Sequence, residues 1–241
     1  MSDFYIAFIQ AWDLISHLDS AFLEIVLLSL KVSGASVFIA TLIGLPVGAA
    51  LALFRFRGRS FFLVLVNTLM GFPPVVVGLL LYLVLSRSGP LGVLGLLFTP
   101  TAMIIAQVIL VTPIIAALSQ QIIQDSWSRY QEQLLSLGSS RGQAIPTLIL
   151  DARSALITAV LAGFGRASGE VGAVMIVGGN IDHVTRVMTT AITLEVSKGD
   201  LSLALGLGMV LIFIALLINF LSYMVQNRSV QRFSVQHNRI R

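Results

Sequence analysis

Between Ile25 and Phe54 the chain carries one charged residue, Lys31, in a run of roughly 30. Such a run leaves few choices of structure. A backbone placed in hydrocarbon must satisfy its own N–H and C=O groups, and for a single segment only the α-helix does so. About 20 apolar residues at 1.5 Å each cross a ~30 Å hydrocarbon core. This run therefore crosses with tilt, or continues a turn or two beyond the membrane. Four further apolar runs follow, at about 60–86, 100–123, 153–177 and 201–225. Charged side chains make up 11% of the 241 residues, against roughly 25% in a soluble domain. The expected fold class is an all-α membrane protein, a single transmembrane domain over 1–241 with five core transmembrane helices.

Several function classes fall away on composition. The chain has no cysteine, which excludes disulfides, thiolate metal sites and cysteine nucleophiles. His17, His183 and His237 lie apart, at the edges of apolar segments, so a His-rich metal site is not expected. The net charge of +4 comes from basic residues spread along the loops, without the aromatic-interleaved patch that binds nucleic acid. No Ser/His or paired-carboxylate arrangement falls within one apolar region, which argues against an intramembrane hydrolase. A Walker A loop needs Lys followed by Ser or Thr, and the two lysines, Lys31 and Lys198, are followed by Val and Gly. Any ATP-driven work would need its nucleotide site on another chain.

The N-terminal residues have no positive n-region and no small-residue cleavage site, so a cleaved signal peptide is not expected. Over 3–18, Phe4, Phe8, Ala11, Trp12, Ile15 and Leu18 fall near helical spacing, interrupted by polar residues. An interfacial amphipathic helix is the expected form; a sixth membrane-embedded helix and a frayed end stay open.

Irregularities mark the spans. Gly34, Gly44 and Gly48 suit close helix contacts, and Pro46 a kink. Gly71-Phe72-Pro73-Pro74 removes two backbone donors and predicts a short helix, a break and a second helix. Pro100 suits a first helical turn, and Thr112-Pro113 predicts a kink in the third span. Residues 178–200 are too polar for an ordinary span and predict a short helix near 184–196. With five spans, Arg55, Arg57, Arg59, Arg129, Arg141, Arg153, Arg228, Arg232, Arg239 and Arg241 share one side, ten in all, against three (Arg87, Arg186, Lys198) on the other. The positive-inside rule then places the N-terminus outside and the C-terminus in the cytoplasm.

Two regions carry more than spanning requires. Over 126–146, Ser128/Gln131 and Ser140/Gln143 both have capping-box spacing, and Gly138 sits where a helix end needs a left-handed residue. The expectation is a pair of short capped cytoplasmic helices, with Leu134, Leu135 and Leu137 as an exposed apolar edge that a protein groove would cover. Farther on, Arg166 and Glu170 stand one turn apart in an apolar run, where an unpaired charge costs about 2.5–3.5 kcal/mol or more. Two readings stand open: an ion pair that holds helices together, or a polar face beside a permeation path. Gln107 is open in the same way, between a helix–helix hydrogen bond and a pathway residue.

Glu132, followed by Gly138 at the matching offset and then Leu148-Ile149-Leu150, resembles the cytoplasmic signature of binding-protein-dependent ABC importer permeases. Gln133 and Leu134 replace its two alanines, and Asp151 replaces its terminal proline. Gly165-Arg166-Ala167-Ser168-Gly169-Glu170-Val171-Gly172-Ala173 is similar to the GRAxGExGA run of the molybdate, tungstate and sulfate permeases. Gly71–Gly78 and Arg87–Gly92 resemble that subfamily's second-span block. Val174–Ile181, with Asp151-Ala152-Arg153, most resembles the tungstate-type branch. The resemblance implies inward oxyanion transport by a homodimer of this subunit. It also implies two cytoplasmic ATPase subunits that bind ATP and Mg, and an extracytoplasmic oxyanion-binding protein. This chain itself would hold no cofactor. Glu132, Gln133, Leu134, Leu135, Gly138 and Arg141 would couple to the ATPase. Gln107, Arg166, Ser168, Glu170 and Asn180 would be pathway, gate or intramembrane-pair residues. Molybdate, sulfate and phosphate stay open as cargo. A secondary transporter or channel is the alternative class, and it would have no need of the cytoplasmic helix pair.

Overall fold

The computed structural model describes residues 20–238, with side chains to Val225, together with Tyr5, Ile9 and Trp12. The segment 3–18 otherwise lies outside the described residues, so the expected interfacial helix is not addressed. Nine α-helices and no strand occur among the described residues. In chain order they are α1 (Ser20–Leu53), α2 (Arg59–Met70), α3 (Pro74–Leu85), α4 (Pro100–Ser136), α5 (Arg141–Asp151), α6 (Arg153–Ser168), α7 (Gly172–Gly178), α8 (Met188–Lys198) and α9 (Leu201–Asn238). A 3-10 turn at Gly92–Leu94 precedes α4.

Three helices are long and apolar enough to cross a membrane: α1, α4 and the Leu201–Val225 part of α9. Two bent pairs bring the number of candidates to five: α2 with α3, turned by 99°, and α5 with α6, turned by 75°. Large apolar side chains stand exposed along these elements, among them Phe38, Leu42, Phe61, Val64, Phe213 and Leu216. Exposure of that extent in a water-soluble chain would drive association; facing lipid it costs nothing.

The α2–α3 break falls at the double proline. Gly71 N–H turns back to Thr68 O, and α3 restarts with Pro74 in its first turn, where a missing N–H is harmless. Helices α1 and α4 continue through Pro46 and Pro113. The span expected over 153–177 is interrupted: α6 ends at Ser168 and α7 begins at Gly172. The expected short helix near 184–196 lies at Met188–Lys198.

The chain divides into two compact units. One comprises the chain to Val37, Phe72–Leu110 and Phe164–Leu216. Its core gathers Val32, Val77, Met103, Ala106, Val174 and Val177, with a second cluster around Phe22, Met188 and Leu207. The other unit comprises Phe38–Gly71, Val111–Gly163 and the chain from Leu217. Here Ala52, Leu53, Ile123, Trp127, Leu148 and Leu156 form the core. A Cβ on Gly48 would stand 2.5 Å from Ala116 O, so α1 and α4 meet backbone to backbone at that point.

Candidate functional site

The polar turn between α4 and α5 is built from local hydrogen bonds. Gly138 has φ +78°, Ser139 N–H donates to Leu134 O at 3.0 Å, and Gly138 N–H donates to Leu135 O at 3.0 Å. This pairing closes the last carbonyls of a helix around a left-handed glycine. Ser140 then caps α5: Gln143 N–H donates to Ser140 Oγ at 3.4 Å, and Ser140 N–H donates to Gln143 Oε1 at 2.9 Å. Each satisfies an amide that the first helical turn leaves open.

Two details of the expected helix pair are corrected here. Ser128 starts no helix, because α4 runs unbroken to Ser136 and the Ser128 hydroxyl donates to Asp125 O inside it. Leu134 is not part of an exposed edge; it packs against the core around Ile123 and Trp127. Leu135 and Leu137 are exposed, Leu137 at 81%, beside exposed Glu132, Gln133 and Gly138. Arg141 is half-buried and donates through Nη1 to Leu53 O at 3.3 Å.

Arg59 does similar work, donating to Leu51 O at 2.7 Å and to Gln124 Oε1 at 3.1 Å. The last carbonyls of α1 are thus held by two guanidinium groups, at the helix end where positive charge is favoured. In sequence Arg59 served only as a side-of-membrane marker, and Arg141 was singled out as a coupling residue, not as a partner of the α1 end. For Arg59, its position just past the Ile25–Phe54 run was the available signal.

The second cluster surrounds the α6–α7 break. Arg166 Nη1 and Glu170 Oε2 are 2.6 Å apart, with Glu170 4% exposed. Glu170 Oε1 accepts from Ala173 N–H at 3.1 Å, so both carboxylate oxygens are engaged and the acid caps α7. Gln107 of α4 donates to Ala167 O at 3.1 Å. Thr189 of α8 donates to Glu170 O at 2.8 Å, and Ser168 donates to Phe164 O at 2.8 Å. Four of the residues singled out in sequence, Gln107, Arg166, Ser168 and Glu170, therefore meet in one place. Thr189 was missed, as a threonine in a polar stretch with nothing local to mark it.

Asn180 lies elsewhere. With φ +50° it holds the loop after α7 to the start of α8, donating to Thr190 O at 3.4 Å and accepting from the Thr190 hydroxyl at 2.8 Å. In the same loop His183 Nδ1 sits 2.7 Å from Glu24 Oε2, and Arg186 pairs with Asp182 at 2.8 Å. The hydrogen bond to Glu24, then its charge and that of Asp182, raise the His183 pKa above its ordinary 6.5. Among the described residues no group of three or more His, Asp or Glu side chains comes together as metal ligands would.

The fold has a counterpart among transport proteins. A chain from inward-facing structures of the MetNI methionine ABC transporter superposes with a TM-score of 0.71, over 88% of this chain and 97% of that one, at 18% identity. The protein belongs to the binding-protein-dependent transport system inner membrane component family, whose pattern matches residues 44–235. It is 40% identical to the tungstate uptake system permease protein TupB of Peptoclostridium acidaminophilum, over 92% of this chain and 98% of that protein. A probable anion ABC transporter permease protein of Haloferax volcanii is also 40% identical, over 87% of this chain and 92% of that one.

Proposed function

We propose that this chain is the membrane-spanning subunit of an importer that moves tungstate inward, driven by ATP hydrolysis on separate subunits. The observation that carries the cargo is the 40% identity to a tungstate permease over nearly the full length of both chains. In this reading two copies of the chain work with two cytoplasmic ATPase subunits, which bind the ATP and Mg. A binding protein outside the membrane delivers the oxyanion. The N-terminus lies outside and the C-terminus in the cytoplasm, in keeping with the arginine asymmetry.

The α4–α5 turn is the coupling element. Glu132, Gln133, Leu135 and Leu137 offer it a mixed polar and apolar surface, while Leu134 and Arg141 root it in its own unit. A push on such a surface moves α4 and α5 as rigid bodies, because Gly138, Ser139 and Ser140 leave little slack between them. The cluster at Gln107, Arg166, Ser168 and Glu170 is part of the moving wall. Its charges are committed to each other and to α7, so selection of the anion rests with the binding protein.

Tungstate accumulation by cells with and without an intact copy of this chain tests the reading. Accumulation is expected to require the chain and to resist an excess of sulfate. Loss of accumulation with sulfate at equal concentration would reassign the cargo.

A further inference from the structure

A small cavity in the first unit lies between α1, α4, the α6–α7 break and the start of α8. Ser29, Ser33, Gln107, Ser168, Glu170 and Thr189 line it, and its volume of about 10 Å³ suits one water molecule. Gln107 is 4% exposed, and its Oε1 is buried without any hydrogen-bond partner. Turning the amide over does not help. Ala167 O can only accept, so the NH2 group must face it and the oxygen must face away.

Three of the four neighbouring hydroxyls cannot serve that oxygen, and the fourth, Ser33, makes no hydrogen bond to it. Ser29 donates to Ile25 O, Ser168 to Phe164 O and Thr189 to Glu170 O. Each of those hydrogens is committed, so these oxygens present lone pairs. Glu170 has its charge offset by Arg166 and its second oxygen bound by Ala173 N–H. The cavity is thus rich in acceptors and close to neutral in charge. A metal cation would satisfy the acceptors but bring a charge with nothing left to balance it. A neutral donor of one heavy atom fits both conditions.

We propose that this cavity is a hydration site holding a single water molecule, which donates to Gln107 Oε1 and to a hydroxyl oxygen of Ser168 or Thr189 and accepts from Ser33. The water bridges α4 and the α6–α7 break and satisfies a buried side-chain oxygen that no protein group reaches. The site does not depend on which anion the chain carries.

A structure of the assembled transporter at a resolution that shows ordered water tests this directly. A peak about 2.7–3.2 Å from Gln107 Oε1 is expected, without anomalous signal when the salt is replaced by a thallium(I) salt. An empty cavity would overturn the proposal. So would a thallium peak, which would make it a monovalent cation site. In Gln107→Met, which keeps the bulk and loses the acceptor, the peak is expected to vanish. A peak that persists in the variant would remove Gln107 from the site. If the variant does not assemble, the wild-type map alone decides.

Discussion

Glu170 illustrates how one side chain settles a stretch of fold. It sits where α6 must stop, and holds Arg166 with one oxygen and the Ala173 amide in the first turn of α7 with the other. Replacing it with Gln keeps an acceptor for Ala173 N–H but leaves Arg166 without its partner. A hydrogen bond between charged groups contributes roughly 1.5–3 kcal/mol; Arg166, 36% exposed, keeps access to its surroundings and moves the expected loss to the low end of that range. Glu170→Gln should therefore lower the thermal midpoint of the purified complex. Arg166→Met added to it should cost less than the sum of the two single changes; simple additivity would mean that the two residues do not act as a pair. His183 gives a pH signature. Its folded pKa lies above the unfolded 6.5, so its contact with Glu24 stabilises fully below about 6.5 and fades as pH rises through the folded value. The thermal midpoint of the wild type minus that of His183→Gln should shrink over that interval. A difference independent of pH would remove the charge on His183 from the account.

At the scale of elements, the α4–α5 turn and the α6–α7 break show what a sequence discloses. Ser140 with Gln143 and Ser128 with Gln131 have the same spacing, yet only the first pair caps a helix. The difference lies in the apolar period. Ile123, Trp127, Tyr130 and Leu134 continue one buried face straight through Ser128, so there is no helix end for it to cap. Gly138 interrupts that face with a residue suited to φ +78°. The turn is local chemistry and is legible. The break at 169–171 is not, because the groups that satisfy it come from Gln107, 60 residues back from Ala167, and from Thr189, 19 residues on from Glu170. A run with several glycines otherwise reads as a helix that packs closely. Ser140→Ala should destabilise α5 by about 1 kcal/mol with little effect on the membrane spans. Gly138→Pro, which cannot take positive φ, should break the turn and abolish ATP-driven uptake while the complex still assembles. Full uptake in Gly138→Pro would show that the turn transmits nothing.

For the whole molecule, four of the five apolar runs correspond to the three long helices and the α2–α3 pair among the described residues. The run over 153–177 is divided between α6 and α7, and the second bent pair joins α6 to α5 instead. The two-unit organisation was not visible, since the units divide α1, α4, α6 and α9 between them and depend on contacts between distant segments. Which side each loop faces rests on the arginine asymmetry, and the absence of cysteine in the chain makes it simple to check. A single cysteine at Leu137 (81% exposed) should react with an impermeant thiol reagent only from the cytoplasm, and one at Val93 (99% exposed) only from outside; the reverse pattern would invert the topology. The central claim is that the chain converts a push on its α4–α5 turn into anion movement. Proteoliposomes containing this chain and its ATPase subunits, with the binding protein inside and ATP outside, measure that claim most directly. Tungstate release from the lumen to the ATP side should require ATP, the ATPase and the binding protein together. Equal tungstate flux without ATP or without the ATPase would make the chain a channel or a secondary transporter and contradict the account.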